Sequence, residues 1–132
     1  MRALDTNVLV RLLTGDDRAA LERVKALLST AEEQHDTYMV TDMVLLELLW
    51  VLRSSYTLDR NKILDAAEAL LNAPVLKFQS AEVLYQFLAI GRTTNLDLAD
   101  ILIGLNARQL GCAAVHTLDK KAARSELFEE LP

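Results

Sequence analysis

The sequence is poor in the residues that build disulfides and zinc sites: it has one cysteine, Cys112, and two histidines among 132 residues. A single cysteine excludes a disulfide framework and a cysteine-based metal site. No apolar run approaches the roughly 20 residues that a membrane-crossing helix needs. A charge at Asp5 also interrupts the N-terminus before a signal-like segment can develop. We therefore expect a cytoplasmic protein with no membrane partner.

A positive surplus is missing as well, since the formal net charge is −5. Nucleic-acid-binding proteins usually present a basic surface. If four of the nineteen carboxylates belong to one metal site, however, the remaining fifteen nearly balance the fourteen lysines and arginines. The acidity therefore does not exclude a nucleic-acid partner, but it does exclude binding driven by a general positive field.

Strand-like and helical stretches alternate along the chain, and 52% of the residues are hydrophobic. This length and composition predict a single domain, residues 1–132, with a hydrophobic core large enough to fold without disulfides or a structural metal. After the N-terminal segment, strands are predicted at 37–41, 75–78 and 112–117. Helices are predicted at 8–13, from 16–17 onward, at 43–55 (capped by Asp42), 59–72, 80–91 (capped by Ser80, ended by Gly91), 97–111 and 120–127. The alternation predicts an α/β fold with a parallel sheet covered on both faces.

Two carboxylates, Asp5 and Asp119, each stand just past a predicted strand and just before a predicted helix. In α/β proteins ligands bind beyond the carboxyl ends of the strands, so both positions fall where a functional site is expected. The alternative is a structural role, because aspartate is a favoured helix N-cap. Position alone leaves both interpretations open for each residue.

Glu47 is the only polar residue between Met43 and Leu52. A helix that is apolar on almost every side is expected to be buried. A lone buried carboxylate is costly unless it is paired or bound to metal. The alternative places Glu47 on the one exposed stripe of the helix, or in an ion pair with a base such as Arg53.

Asp100 also has apolar neighbours, within the stretch Leu98–Ile103. Asp97, the predicted N-cap of this helix, lies one turn earlier on nearly the same face and is a candidate for the outer edge of the site. The alternative makes Asp100 a first-turn acid that the helix dipole favours.

Four separate structural roles would all have to hold for these acids not to form one site. We therefore predict that Asp5, Glu47, Asp100 and Asp119 together bind divalent metal. Hard carboxylate oxygens, without cysteine or a suitable pair of histidines, select Mg²⁺ or Mn²⁺ over zinc. The two histidines fall in a polar loop and within a predicted strand, where structural roles are favoured.

Two further features concern partners. Four basic residues flank the predicted site: Arg92, Lys120, Lys121 and Arg124. They are candidates for phosphate contacts, and the alternative is that they are simply solvated surface residues. The apolar surplus, including Trp50 and Tyr56 on or beside a very apolar helix, exceeds what one small domain readily buries and favours a homodimer.

In chain order, the acidic motifs resemble those of the PIN-domain ribonucleases. The motifs that carry the resemblance are Asp5-Thr-Asn7, the isolated Glu47 in Leu-Leu-Glu-Leu-Leu-Trp, Leu-Asp-Leu-Ala-Asp100-Ile-Leu-Ile and Thr117-Leu-Asp119-Lys. The resemblance covers nearly the whole chain. At this length the chain is most similar to the VapC toxins of type II toxin–antitoxin pairs.

The resemblance implies a three-layer α/β/α sandwich with a central parallel sheet of four to five strands. It implies an Mg²⁺- or Mn²⁺-dependent endoribonuclease that cleaves RNA phosphodiesters with metal-activated water, forms a homodimer and is inhibited by a small VapB-type antitoxin. The same four carboxylates are implied as the catalytic metal ligands, with Thr6 or Thr117 supporting them by hydrogen bonds. The family has a further strand after the position of Asp119, but this chain ends at Pro132, so the fifth strand is expected to be short or missing.

Other functions fit the motifs less well. A haloacid-dehalogenase-like phosphatase requires a second aspartate two positions after the first, where this chain has Asn7. A nucleotide-binding Rossmann domain requires a glycine-rich first turn, which Asp5-Thr-Asn-Val lacks. Two alternatives stay open within the resemblance: a PIN-like domain that is a non-catalytic protein-interaction module, and a PIN nuclease of RNA processing outside a toxin–antitoxin pair.

Overall fold

The computed structural model describes all residues from Met1 to Pro132 and has an α/β fold. Its six α-helices are α1 (Thr6–Thr14), α2 (Arg18–Glu33), α3 (Asp42–Ser54), α4 (Arg60–Leu71), α5 (Ala81–Thr93) and α6 (Leu98–Gln109). Its five short strands are β1 (Arg2–Ala3), β2 (Tyr38–Val40), β3 (Leu76–Phe78), β4 (Val115–Thr117) and β5 (Phe128–Glu130). Tertiary contacts divide the chain into two compact units, Met1–Ala81 and Glu82–Pro132. The single-domain expectation stays a prediction.

Three parallel strands in the order β1-β2-β3 form the sheet of the first unit. Tyr38 of β2 pairs with Arg2 on one side and with Leu76 on the other, so β2 is the middle strand. Parallel neighbours need crossover connections, which α1–α2 and α3–α4 supply. Because β1 leads into α1 and β2 leads into α3, both helices begin at the carboxyl edge of the sheet.

Apolar residues at helical spacing determine which helix faces are buried. The most deeply buried side chains of the first unit are Leu9, Val40, Leu52 and Leu64. Leu9 belongs to α1 and Leu52 to α3, and these two helices pack against each other. In α4 the buried positions are Ile63, Leu64, Ala67 and Leu70, which lie on one face at helical spacing.

The second unit contains a parallel pair of strands, in which Val115 of β4 pairs with Phe128 of β5. The fifth strand is therefore present, and it is short, at three residues. The helix predicted at 120–127 is wrong, because the chain makes only one 3₁₀ turn at Ala122–Arg124 before it extends into β5. Backbone hydrogen bonds from Val115 to Leu127 and from Leu131 to Thr117 draw this segment into strand pairing instead. The predicted α/β class with parallel strands is confirmed.

Several helix ends follow the sequence, and two do not. Gly15 adopts φ 62° and ends α1, while α4 begins directly after its cap, Asp59, close to the predicted start at 59. The cap of α3 is Thr41, whose hydroxyl accepts a hydrogen bond from Val44 N, and not Asp42. Gly91 does not end α5 but is buried inside it, and the helix continues to Thr93. No helix has the length and hydropathy needed to cross a bilayer.

A close approach between two segments of the second unit occurs at Gly104 of α6. A Cβ atom on this residue would lie 2.7 Å from the Cβ of Leu127 and 3.1 Å from a ring carbon of Phe128. In an open helix, glycine to alanine stabilises by up to about 1 kcal/mol. Overpacking in a core costs about 1–3 kcal/mol.

We therefore predict that Gly104→Ala lowers the free energy of unfolding in a denaturant titration, despite the better helix propensity of alanine. A variant as stable as the parent, or more stable, would contradict the close packing of α6 on β5.

Candidate active site

Asp5 lies between β1 and α1 and caps the helix. Its backbone is extended, and its Oδ1 accepts a hydrogen bond from Thr6 N at 2.8 Å. The side chain is exposed, and Oδ2 makes no hydrogen bond. The capping role weighed from the sequence is therefore real, and it engages only one of the two carboxylate oxygens.

Thr6, the first residue of α1, has a buried hydroxyl with no hydrogen-bond partner. The residue is only 5% exposed. A buried hydroxyl without a partner costs free energy, so this position is unusual in a well-packed fold. It stands directly beside Asp5, where the sequence predicted a supporting hydrogen-bond group.

Glu47 lies in the second turn of α3 and is exposed, so the expectation that its helix buries it is wrong. The α3 helix has more apolar residues than core-facing positions, and the surplus is exposed around Glu47. Met43 is 83% exposed and Trp50 is 66% exposed, and both lie within one turn of Glu47 on the same face. Leu46 is partly exposed beside them. Burial therefore gives no argument for a metal at Glu47, and its assignment depends on position and family order.

Asp97 and Asp100 stand together at the start of α6. Asp97 caps the helix, because its Oδ1 accepts hydrogen bonds from the backbone N of Ala99 at 3.0 Å and of Asp100 at 3.2 Å. The Asp100 side chain is half-buried and makes no hydrogen bond. Partial burial, followed by the negative charges of Asp97 and Asp119, raises the pKa of Asp100. Two carboxylates of the second unit thus act on a third, Asp100.

Asp119 follows β4 and holds the turn that leads to β5. Its Oδ1 accepts hydrogen bonds from Lys121 N at 2.9 Å and Ala122 N at 3.2 Å. Its own backbone N donates to the Thr117 hydroxyl at 3.0 Å. Thr117 therefore orients Asp119 through the backbone, and Oδ2 of Asp119 has no partner.

The structure thus brings the candidate acids into two sets. Asp5 caps α1 and Glu47 lies on α3, and these two helices pack together, while the charges of Asp97 and Asp119 act on Asp100 in the second unit. No three histidine, cysteine, aspartate or glutamate side chains are close enough to hold one metal ion. The acids still offer hard oxygen donors, because each of the four main candidates has at least one oxygen outside any hydrogen bond.

Lys120, Lys121 and Arg124, predicted to flank the site, are exposed next to Asp119. Sequence reasoning did not identify a polar cluster of Arg11, Asp16 and Tyr56 in the first unit. Asp16 was interpreted only as part of the start of α2. Residues 40 positions apart leave no local signal of such a contact.

Comparisons with known proteins match nearly the whole chain to one family. The sequence model of one family, described as PIN domain, matches residues 2–126. A protein named VapC ribonuclease from Aquifex aeolicus (strain VF5) is 21% identical over 121 residues, which is 92% of this chain and 89% of that protein. No solved structure gives a significant match.

The raised pKa of Asp100 predicts how its charge affects stability. The folded state holds this proton more tightly than the unfolded chain, so stability falls as the pH rises from the ordinary value of 3.8 through the raised folded value. At pH 7 in EDTA, Asp100→Asn should therefore raise the free energy of unfolding, by an amount that solvent screening keeps small.

Melting curves at pH 7 and pH 3 measure this effect, and Glu126→Gln, an exposed acid of the same unit, is the control. The gain should vanish at pH 3. An Asp100→Asn variant that is less stable than the parent at pH 7 would show that the carboxylates do not repel one another there.

Proposed function

The chain belongs to the PIN-domain family, and on this premise we propose that it is a divalent-metal-dependent endoribonuclease of the VapC type. The observation that carries the proposal is the set of four carboxylates in family order, Asp5, Glu47, Asp100 and Asp119. Asp5 and Asp119 stand where a strand leads into a helix or turn. Glu47 and Asp100 stand in the first two turns of a helix. The similarity to a protein named VapC ribonuclease supports a nuclease function for this chain.

The donor set fits a hard divalent cation. All four side chains are carboxylates with an oxygen that no hydrogen bond uses, and no sulfur ligand stands among them. Partial burial and, after it, the negative charges of Asp97 and Asp119 raise the pKa of Asp100, and a bound cation would relieve the part that comes from these charges. Oxygen ligands of this kind match Mg²⁺ or Mn²⁺.

In the proposed site, Asp5, Glu47, Asp100 and Asp119 would hold the ion. A bound divalent ion would lower the pKa of water and would neutralise negative charge on the phosphodiester. Asp97 holds the first turn of α6 and thereby places Asp100. The Thr6 hydroxyl is available to hydrogen-bond a carboxylate or the substrate beside Asp5. Lys120, Lys121 and Arg124 would bind RNA phosphates next to Asp119.

We assign the protein the role of a toxin in a VapBC-type pair, acting on RNA in the cytoplasm and inhibited by a VapB-like antitoxin. A small open reading frame immediately upstream, encoding a DNA-binding head and a C-terminal tail, would support this role. Cleavage of RNA without such a partner would instead favour a processing nuclease. Failure to cleave any RNA would favour a protein-interaction module.

A cleavage assay with aspartate-to-asparagine variants tests the metal site. The purified protein should cleave structured RNA in Mg²⁺ or Mn²⁺ and stop in EDTA. Asp5→Asn and Asp100→Asn should lose orders of magnitude in rate and also lose the stabilisation that Mg²⁺ gives the folded parent. Asparagine caps helices as well as aspartate at position 5, and the Asp100 side chain makes no capping hydrogen bond, so loss of capping cannot explain such an effect.

Asp59→Asn is the control, because Asp59 also caps a helix, α4, and does not belong to the proposed site. Equal activity of Asp5→Asn, Asp100→Asn and Asp59→Asn would contradict the four-carboxylate site. Cleavage that survives chelation would contradict the metal requirement.

The exposed apolar residues of α3 support a homodimer. Met43, Leu46 and Trp50 form a solvent-exposed stripe, and tryptophan is a frequent energetic centre of protein interfaces. The parent should sediment as a dimer at micromolar concentration. Trp50→Ser should weaken that dimer by about 30-fold or more.

Tyr85→Ser, which alters another exposed aromatic side chain on α5, is the control and should leave the dimer unchanged. A parent that is monomeric at micromolar concentration would refute the homodimer. A dimer that Trp50→Ser leaves intact would exclude the α3 stripe as its interface.

A further inference from the structure

A compact polar cluster joins the ends of α1 and α3 in the first unit. Arg11 Nη1 donates to both carboxylate oxygens of Asp16, at 2.9 Å and 3.0 Å. The Tyr56 hydroxyl donates to Asp16 Oδ2 at 2.6 Å, and Arg11 Nη1 lies 3.2 Å from that same hydroxyl. The Thr14 hydroxyl adds a contact of 2.9 Å to Asp16 Oδ1.

One carboxylate therefore receives donors from α1 and from the segment that follows α3. The hydrogen bonds from Tyr56, then Thr14 and Arg11, lower the pKa of Asp16 to about 2. Asp16 consequently stays ionised across the physiological range, and the cluster does not switch with pH there. The hydrogen bond from Arg11 to the Tyr56 hydroxyl also polarises the bond that this hydroxyl donates to Asp16 Oδ2.

The position of the cluster matters more than its chemistry. At their N-terminal ends, α1 and α3 follow β1 and β2, which pair in a fixed parallel register. At their C-terminal ends, Arg11 belongs to the last turn of α1, and Tyr56 comes directly after Ser55, the C-cap of α3. The two packed helices are thus joined at both ends, by strand pairing at one and by the cluster at the other.

The residue after Tyr56 adopts a costly backbone conformation. Thr57 has φ 51°, in the left-handed region that β-branched residues rarely enter. Such strain persists only where surrounding contacts over-determine it. Those contacts include the Tyr56 hydrogen bonds and a backbone hydrogen bond from Leu58 N to Leu52 O at 3.1 Å.

We propose that Arg11, Asp16 and Tyr56 form a latch that fixes the far end of α3 against α1 and so positions Glu47 relative to Asp5. These three are positioning residues, since none of them is among the proposed metal ligands. The effect on catalysis rests on the proposed function, whereas the latch itself does not.

The leverage of such a latch is sufficient to affect a metal site. Glu47 lies five residues beyond Asp42, or about 7.5 Å along the axis of α3. If the far end of α3 were released and the helix tilted by about 10° about its N-terminus, the Glu47 backbone would move by roughly 1 Å. Displacements of that size in a catalytic constellation can lower rates by about a hundredfold.

Hydrogen exchange tests the latch without reference to activity. Tyr56→Phe keeps the ring and removes only the hydroxyl, and Tyr85→Phe is the matched control because the Tyr85 hydroxyl makes no hydrogen bond. The amides of Ser55 and Leu58, which bond to Val51 and Leu52, should exchange about fivefold faster or more in Tyr56→Phe. Exchange at these amides equal to that of Tyr85→Phe would overturn the latch.

Cleavage kinetics test the positioning role in the same variants. Tyr56→Phe and Asp16→Asn should each lower kcat by about tenfold and raise the Mg²⁺ concentration for half-maximal rate by several-fold, with the KM for RNA within twofold of the parent. The double variant should be no worse than either single variant, because both break the same latch.

A lower melting temperature with unchanged kcat and metal response would show that the cluster only stabilises the fold. That result would overturn the positioning role. A parent that cleaves no RNA in Mg²⁺ or Mn²⁺ would instead refute the proposed function. It would also overturn the positioning role, and the exchange measurement would still decide the latch.

Discussion

The parallel pairing of β1 with β2 is the constraint on which the first half of the candidate site depends. Arg2 lies opposite Tyr38, and the backbone N of Leu4 continues the ladder by donating to Met39 O at 3.0 Å. This register brings the start of α1 and the start of α3 to the same edge of the sheet. Asp5 then caps the first helix, and Glu47 follows in the second turn of the other.

Helix capping by these acids does not exclude the metal binding that we propose for them. Asp5 and Asp119 each use Oδ1 to accept backbone hydrogen bonds and leave Oδ2 without a partner. The positive end of the helix dipole lowers the cost of placing a carboxylate at a helix start. A fold can therefore gather acids at the N-termini of its helices and retain them without metal. Asp100, which accepts no hydrogen bond and faces two like charges, experiences the remaining repulsion.

The sequence was sufficient where local chemistry decides the structure. Asp59 and Asp97 cap the helices predicted for them, and the strands near 38, 76 and 115 lie within the predicted stretches. The sequence was insufficient where the tertiary environment decides whether a residue is buried. The apolar pattern of α3 could not distinguish residues buried within the chain from those, such as Trp50, that remain exposed.

Short and long-range features were the other misses. The strand β5 has only three residues, too few for a periodic pattern, and strand pairing replaced the predicted terminal helix there. The contact between Asp16 and Tyr56 joins residues 40 positions apart, which no local motif encodes. The candidate acids were chosen by position and family order, and of the two non-capping acids only Asp100 has the environment expected of it.

The most direct test of the account is to locate Mn²⁺ in crystals of the protein by anomalous diffraction. The account predicts an anomalous peak within about 2.0–2.3 Å of carboxylate oxygens from Asp5 and Asp100, with Glu47 or Asp119 completing the ligand set directly or through water. Crystals of Asp5→Asn grown and soaked in the same way should show that peak weakened or absent. A peak elsewhere in the molecule, or no peak at saturating Mn²⁺, would contradict the proposal that these carboxylates form one metal site.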